Sequence, residues 1–343
     1  MRLRYAGDHR PGLSRLRRGA TFYYRRADGR IVRDVTTLAR IRKLAIPPAW
    51  TDVWIAPDPA GHVQATGRDA RGRKQYRYHA AWRRRRDSAK FDHLVDFAHT
   101  LPAIRQRVAE DLQAPPLSRA RVLATVITLL ERTHIRVGNE EYARTNGSYG
   151  LTTLKDRHVR VRGRRMKFSF KGKSGIRHDI TIDDPVLARD VRRCQDLPGQ
   201  MLFGYRDDMN RVRRVGSSDV NAYLAAIAGP DVTAKDFRTW WGTVSAAVLL
   251  RQAPPPASAR AQKRVEINVL DEVASQLGNT RAICRKCYVH PHVLEAAARG
   301  LAWPAPQKAQ KVKSFGGLTA DEMAVLRLLE NARRSDVRLS RVA

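Results

Sequence analysis

The stretch LGNTRAICRKCYVHPH, Leu277–His292, crowds Cys284, Cys287, His290 and His292 around one tyrosine, Tyr288. Two chemistries use such residues: a metal clip of thiolates and imidazoles, or a phenol presented to an electrophile among cations. A structural zinc site wants four ligands in tetrahedral reach, usually Cys-x2-Cys followed a dozen or more residues later by a second pair. Here His290 stands three residues past Cys287 and Pro291 stiffens the segment, so one short stretch would have to wrap the ion. The cysteines therefore read as small apolar fillers. No metal or other cofactor is expected, and Tyr288 becomes the residue to explain.

A lone tyrosine is ordinarily an amphipathic packing residue. To attack a phosphodiester without a metal it needs help from elsewhere in the chain. Donors must hold the non-bridging oxygens as charge builds on the phosphorane, and an acid must protonate the departing oxygen. The phenol must also lose a proton although it ordinarily titrates near 10, so only about one in a thousand is ionised at pH 7. Clustered guanidinium groups serve both phosphorane and phenolate.

The chain has cations to spare. Lys and Arg number 65 against 33 Asp and Glu, a formal net charge of +32 over 343 residues. Arginine suits phosphate by its planar fork. That imbalance points to a large polyanion, nucleic acid before an acidic membrane surface. No apolar run approaches the 18 or more residues of a membrane span. The opening MRLRYAGDHRPGL lacks the apolar centre of a signal peptide. Three cysteines, Cys194 among them, cannot make a disulfide framework. A reducing, cytoplasmic setting is the expectation.

Two domains are expected at this length, divided near residue 86. Residues 1–86 read as β-rich, with strands at TFYYRR (Thr21–Arg26), DVWIAP (Asp52–Pro57) and HVQATGRD (His62–Asp69). GRKQYRYH (Gly72–His79) interleaves cations with Tyr76 and Tyr78, as a nucleic-acid surface or an ordinary amphipathic edge strand would. Residues 87–343 read as mainly helical. Val122, Val126, Leu129, Leu130 and Thr133 share one helix face. A hairpin follows, with HVRVRGRRMKFSF (His158–Phe170) alternating on both sides of Gly163, then a turn and a further strand through Ile182. Thr233 caps a helix with Asp236 three residues on, and Phe237, Trp241, Val244 and Val248 are assigned its core face. A Pro/Ala/basic linker spans about 251–264, and a last helix starts at Thr319 with Glu322 completing a capping box.

Four segments in order, RVGNEEYA (Arg136–Ala143), FKGKSGIRH (Phe170–His178), AKDFRTWWGT (Ala234–Thr243) and NTRAICRKCYV (Asn279–Val289), resemble the active-site blocks of type IB DNA topoisomerases, in the small poxvirus-like form found in bacteria. The likeness extends to the β-rich front, Ile46–Trp82. It implies an α+β fold: a small β-rich N-terminal domain, and a larger mainly helical catalytic domain carrying a small sheet, as in topoisomerase IB and the tyrosine recombinases. It implies that Tyr288 is the nucleophile of a 3′-phosphotyrosyl bond, that Arg136 and Arg238 grip the scissile phosphate, and that Lys173 is the general acid for the 5′ oxygen. One position departs. The residue nine before the tyrosine is usually histidine in this family and is Asn279 here. An amide can donate to a phosphate oxygen but cannot shuttle a proton near neutrality.

The implied activity is relaxation of positive and negative supercoils by nicking, strand rotation and resealing, without ATP or a required metal. The implied partner is double-stranded DNA, clamped by a monomer, with no membrane. Gln64, Arg68, Lys74, Gln75, Tyr76 and Tyr78 are the candidate contacts of the front domain. Three rivals remain. A tyrosine recombinase shares the constellation, but the β-rich front argues for the topoisomerase. A non-catalytic basic DNA-packaging protein would need only the charge. A metal-dependent nuclease lacks a carboxylate cluster in this sequence.

Overall fold

Short β-prone runs separated by turn residues pair into one antiparallel sheet at the front of the computed structural model. The structure describes residues 3–300 and 317–342, the side chains of 84–90, 92 and 335–342 excepted. The front sheet comprises β1 (Leu13–Arg18), β2 (Thr21–Arg25), β3 (Thr51–Ile55), β4 (Val63–Arg68) and β5 (Lys74–Tyr78), in the order β2-β1-β3-β4-β5. Helix α1 (Val35–Lys43) is capped by Asp34, whose carboxylate accepts from Thr37 N at 2.8 Å. Leu13, Val32, Ile41, Val53, Ile55 and Ala65 form the small core of this unit. Strand β1 and helix α1 carry no signal in the periodicity reading. In LSRLRR the leucines are three apart rather than two, so alternation is absent.

The chain divides into two units, Met1–Phe91 and Asp92–Ala343, and the division falls inside helix α2 (Ala80–Asp111). The second unit continues with α3 (Arg119–Thr133), α4 (Glu140–Asn146), β6 (Val159–Arg162), β7 (Arg165–Lys171), β8 (Arg177–Asp183), α5 (Pro185–Gln195), β9 (Gly204–Arg206), β10 (Val212–Arg214) and α6 (Ser217–Ala228). It ends with α7 (Ala234–Gln252), α8 (Ala259–Leu277), α9 (Arg281–Cys287), α10 (Pro291–Ala298) and α11 (Ala320–Val342). The α+β class is as expected.

Local signals set the elements that carry the site. Strands β6, β7 and β8 form a meander whose first turn uses Gly163 at φ +57°. Met166, Phe168 and Phe170 alternate inward from β7. Helix α7 opens on the expected capping box, with Thr233 N donating to Asp236 Oδ2 at 2.8 Å. Its core face is rotated from the expected one. Phe237 is buried, but so are Trp240, Thr243, Ala247 and Leu250, while Trp241, Val244 and Val248 are only half-buried. Helices pack on α7 from several sides, so apolar spacing alone does not single out its face. The non-helical connection after α7 is confined to residues 253–258, because Ser258 caps α8 and the basic residues Arg260, Lys263 and Arg264 are helical.

Helix α11 is tied to α7 through one buried carboxylate. Glu322, 7% exposed, accepts from Arg105 Nη1 and Nη2 at 3.0 and 2.8 Å and from Trp240 Nε1 at 3.0 Å. It also closes the capping box on Thr319 N at 2.8 Å. Burial alone would raise its pKa, but Arg105 and the other donors hold it below the usual carboxylate value. Removing one partner of a buried pair typically costs about 3–5 kcal/mol, and Arg105 keeps Glu131 at 2.7 Å. Glu322→Ala is therefore expected to destabilise the protein by about 3 kcal/mol, the low end of that range, in a urea denaturation. An unchanged midpoint would show that α11 contributes nothing through this contact.

Candidate active site

The end of α8 gathers the two arginines. Gly278 (φ +58°) caps that helix in the left-handed region, which leaves carbonyl oxygens in its last turn without helical partners. Arg238 Nη2 donates to Leu277 O at 2.7 Å, and Arg136 Nη2 to Gly278 O at 3.4 Å. The negative end of the helix dipole thus faces two like charges that would otherwise repel. Arg136 also donates to Asn279 Oδ1. A guanidinium only donates, so the amide oxygen faces Arg136 and Nδ2 is left with a long contact, 3.4 Å to Leu277 O.

The backbone of Arg136 is itself pinned. Helix α3 stops at His134, which adopts φ +56°, and residues 135–139 form neither helix nor strand. Leu151 N donates to Arg136 O at 2.9 Å, and Thr152 N to Val137 O at 2.7 Å. A methyl at Gly150 would lie 2.5 Å from Arg136 O, so glycine is required there.

Helix α7 sets Arg238 against Tyr288. The guanidinium of Arg238 lies 5.2 Å from the centroid of the phenol ring. One turn on, Thr243 Oγ1 donates to Tyr288 O at 3.2 Å, and a methyl at Gly242 would come 2.7 Å from the same oxygen. Arg238 is 3% exposed and also donates to His134 O. Its Nε–H is buried with no acceptor at hydrogen-bond distance and angle among the described residues. Burial first and Arg136 second push its pKa down to about 10, with the Tyr288 oxygen working the other way. It remains a cation at neutral pH.

Arg136, Arg238, Asn279 and Tyr288 are thus brought together. Lys173 is exposed on the turn between β7 and β8, and no contact joins it directly to the other four among the described residues. Cys284 is a core residue whose thiol burial pushes up to about 11. Side-chain spacing carries no signal for the carbonyls of His134, Leu277 and Gly278, which accept from the two arginines. Gly278 after an apolar-periodic helix signals a helix end with acceptors to fill, but not which donors reach it.

One half-buried and one buried histidine, His134 and His290, are expected to make this unit acid-sensitive. His134 stacks on Trp241 at 4.0 Å, and burial with the charge of Arg238 pushes its pKa down to about 4. Burial and His292 push His290 down to about 4 as well. Both are neutral when folded, whereas the unfolded chain protonates them near 6.5. Below that pH the unfolded state binds more protons, so stability falls as pH drops from about 6.5 to about 4. Each contributes about 1.4 kcal/mol per pH unit. Urea midpoints measured between pH 7 and 4.5 are expected to fall steeply; a flat profile would show that protons reach both rings in the folded state.

In the front unit, Lys74, Tyr76 and Tyr78 share one face of the edge strand β5. The two phenol rings stack at 5.8 Å, Tyr76 is 44% exposed, and Lys74 pairs with Asp8 at 2.7 Å. Gln75, on the other face, donates to Asp69 at 2.9 Å. Arg68 is exposed and donates to Gly72 O at 2.9 Å. Gln64 departs from the expectation of a DNA contact. It is 2% exposed, its Nε2 donates to Gly61 O at 2.7 Å and Pro59 O at 3.0 Å, and its Oε1 accepts from Arg40 at 2.7 Å. Its amide is consumed inside the unit because β4 lies between two other strands and is buried on both faces.

Comparison with known proteins adds an independent line. Residues 79–313 match the family described as eukaryotic DNA topoisomerase I, catalytic core, and residues 21–69 match bacterial DNA topoisomerase IB, N-terminal domain. The chain is 34% identical over 293 residues to DNA topoisomerase 1B of Acanthamoeba polyphaga mimivirus, covering 83% of this chain and 87% of the relative. It is 23% identical over 265 residues to DNA topoisomerase 1 of rabbit fibroma virus, covering 74% and 80%. Vaccinia virus (strain Copenhagen) DNA topoisomerase 1B is 23% identical over 242 residues, covering 67% and 70%.

Proposed function

Because the chain belongs to the type IB DNA topoisomerases, enzymes that relax supercoils by transiently cutting one strand, we propose that Tyr288 makes the cut and that Arg136, Arg238, Asn279 and Lys173 serve it. The observation that carries this reading is the buried, unmatched Nε–H of Arg238 beside the Tyr288 ring. A buried donor left unpaired costs about 1–3 kcal/mol. An anion supplied by the substrate would satisfy it.

The step balances without a redox partner. Tyr288 Oη attacks phosphorus, the Oη–P bond forms and the P–O5′ bond breaks. The phenol proton passes to water, and the Lys173 ammonium gives one to O5′. Arg136, Arg238 and the Nδ2 of Asn279 donate to the non-bridging oxygens. Asn279 supplies a hydrogen bond but no charge, so any acid–base work falls elsewhere. After the strand has swivelled, O5′ attacks the phosphotyrosine and reverses each step. Torque in the DNA drives the rotation, so supercoils of either sign relax. The partner is double-stranded DNA. The protein acts as a monomer in the cytoplasm, and the exposed face of Tyr76 and Tyr78 meets the duplex; among the described residues no helix is long and apolar enough to cross a membrane.

The test is relaxation of a negatively and of a positively supercoiled plasmid in EDTA without ATP. Complete relaxation of both by the wild-type protein is expected. Persistence of either supercoiled form, or relaxation only on adding ATP or a divalent ion, would sink the mechanism.

A further inference from the structure

One side chain lies against both the glycine before Lys173 and the glycine before Asn279, and has no part in the steps above. The ring of His178, on β8, stacks on Phe170 of β7 at 5.0 Å and 15°. Its edge lies between two glycines. A methyl at Gly172 would come 2.7 Å from Cδ2 and Nε2, and one at Gly278 would come 2.7 Å from Cε1. Gly172 immediately precedes Lys173, and Gly278 immediately precedes Asn279. Burial, Arg136 and Arg238, in that order, hold the imidazole below its usual pKa, as expected of a ring near both cations.

We propose that His178 is a positioning residue: a ring wedged between Gly172 and Gly278 that sets Lys173 at the correct distance from the phosphate held by Arg136, Arg238 and Asn279. The inference rests on the roles proposed above for those residues. The two sides of the wedge are unequally held. On the Gly278 side, Asn279 N donates to Ala274 O at 2.9 Å, Gly278 N donates to Ser275 O at 3.1 Å, and both arginines bind the carbonyls there. On the other side the turn closes through Gly172 N to Ile176 O at 2.7 Å and a weak 3.4 Å bond from Ile176 N to Lys173 O, with Ser174 at φ +62°. Without the ring, the turn is the side that moves, and protonation of the leaving group is the function that suffers.

The experiment is single-turnover formation of the covalent adduct on duplexes with either an ordinary 5′ oxygen or a 5′ sulfur at the scissile bond. The sulfur leaves as a thiolate, whose acid titrates near about 8.5, and needs no proton. On the oxygen substrate His178→Ala is expected to slow cleavage by roughly 10²-fold, the lower end of what general acids contribute. On the sulfur substrate its rate should return to within about tenfold of wild type, with DNA affinity unchanged on both. Equal slowing on the two substrates would overturn the proposal, because general disorder of the site does not distinguish leaving groups. A second arm uses Gly172→Ala, whose methyl would strike the imidazole. It should slow oxygen-substrate cleavage in the wild-type background and have little further effect in the His178→Ala background; additive losses would also overturn the wedge. Failure of the wild-type protein to form an adduct on either duplex would count instead against the underlying reading of Tyr288.

Discussion

Tyr288→Phe is expected to relax no supercoils and to form no covalent DNA adduct, while binding duplex DNA as tightly as the wild type. The substitution removes one oxygen and nothing that packs. The residue is 9% exposed, and its backbone is held by Cys284 O and Thr243 Oγ1. Neither the fold nor the phosphate donors should therefore change. Affinity comes from many phosphate contacts, about 6–10 for a protein of this kind, and the hydroxyl is not among them. Plasmid relaxation, denaturing electrophoresis of the adduct and filter binding at fixed salt would report the outcome. Residual relaxation by the phenylalanine protein would mean that another group attacks the phosphorus.

The second large effect is at Arg238. An arginine that stabilises the charge of a transferring phosphoryl group is worth about 10³–10⁵ in rate, and Arg238→Ala should lose cleavage on that scale. Arg238→Lys should recover little. The guanidinium already spends donors on His134 O and Leu277 O and still keeps Nε–H free, whereas an ammonium is a point charge without that fork. Alanine also takes the Arg238 donors from His134 O and Leu277 O, leaving the latter only the long Asn279 contact, and a buried acceptor left unpaired costs about 1–3 kcal/mol. The variant should thus melt earlier as well as cut more slowly, and the single-turnover rate must be read where it remains folded. A cleavage rate within tenfold of wild type would remove Arg238 from the chemistry.

The capping boxes at Thr233 and Thr319 and the hairpin at Gly163 were legible because each depends on residues a few positions apart. The core face of α7 was not, because several neighbours bury it from more than one side, and apolar spacing records only that a residue is apolar. Gln64 shows the same limit in a polar residue. Its type suggests a surface contact, but β4 is buried on both faces, and Arg40 and three carbonyls consume the amide.

By itself the sequence determined the polyanionic partner, through a net charge of +32, and the identity and order of the residues that resemble a metal-free strand-cutting site. Those are statements about which groups exist, and they survive any folding. Only the tertiary structure decided that Arg238 is nearly sealed from water, that the open end of α8 draws both arginines together, and that His178 lies between Gly172 and Gly278. Burial and the field of a helix end depend on which distant segments meet. That meeting follows from the whole core being packed at once rather than from any local pattern.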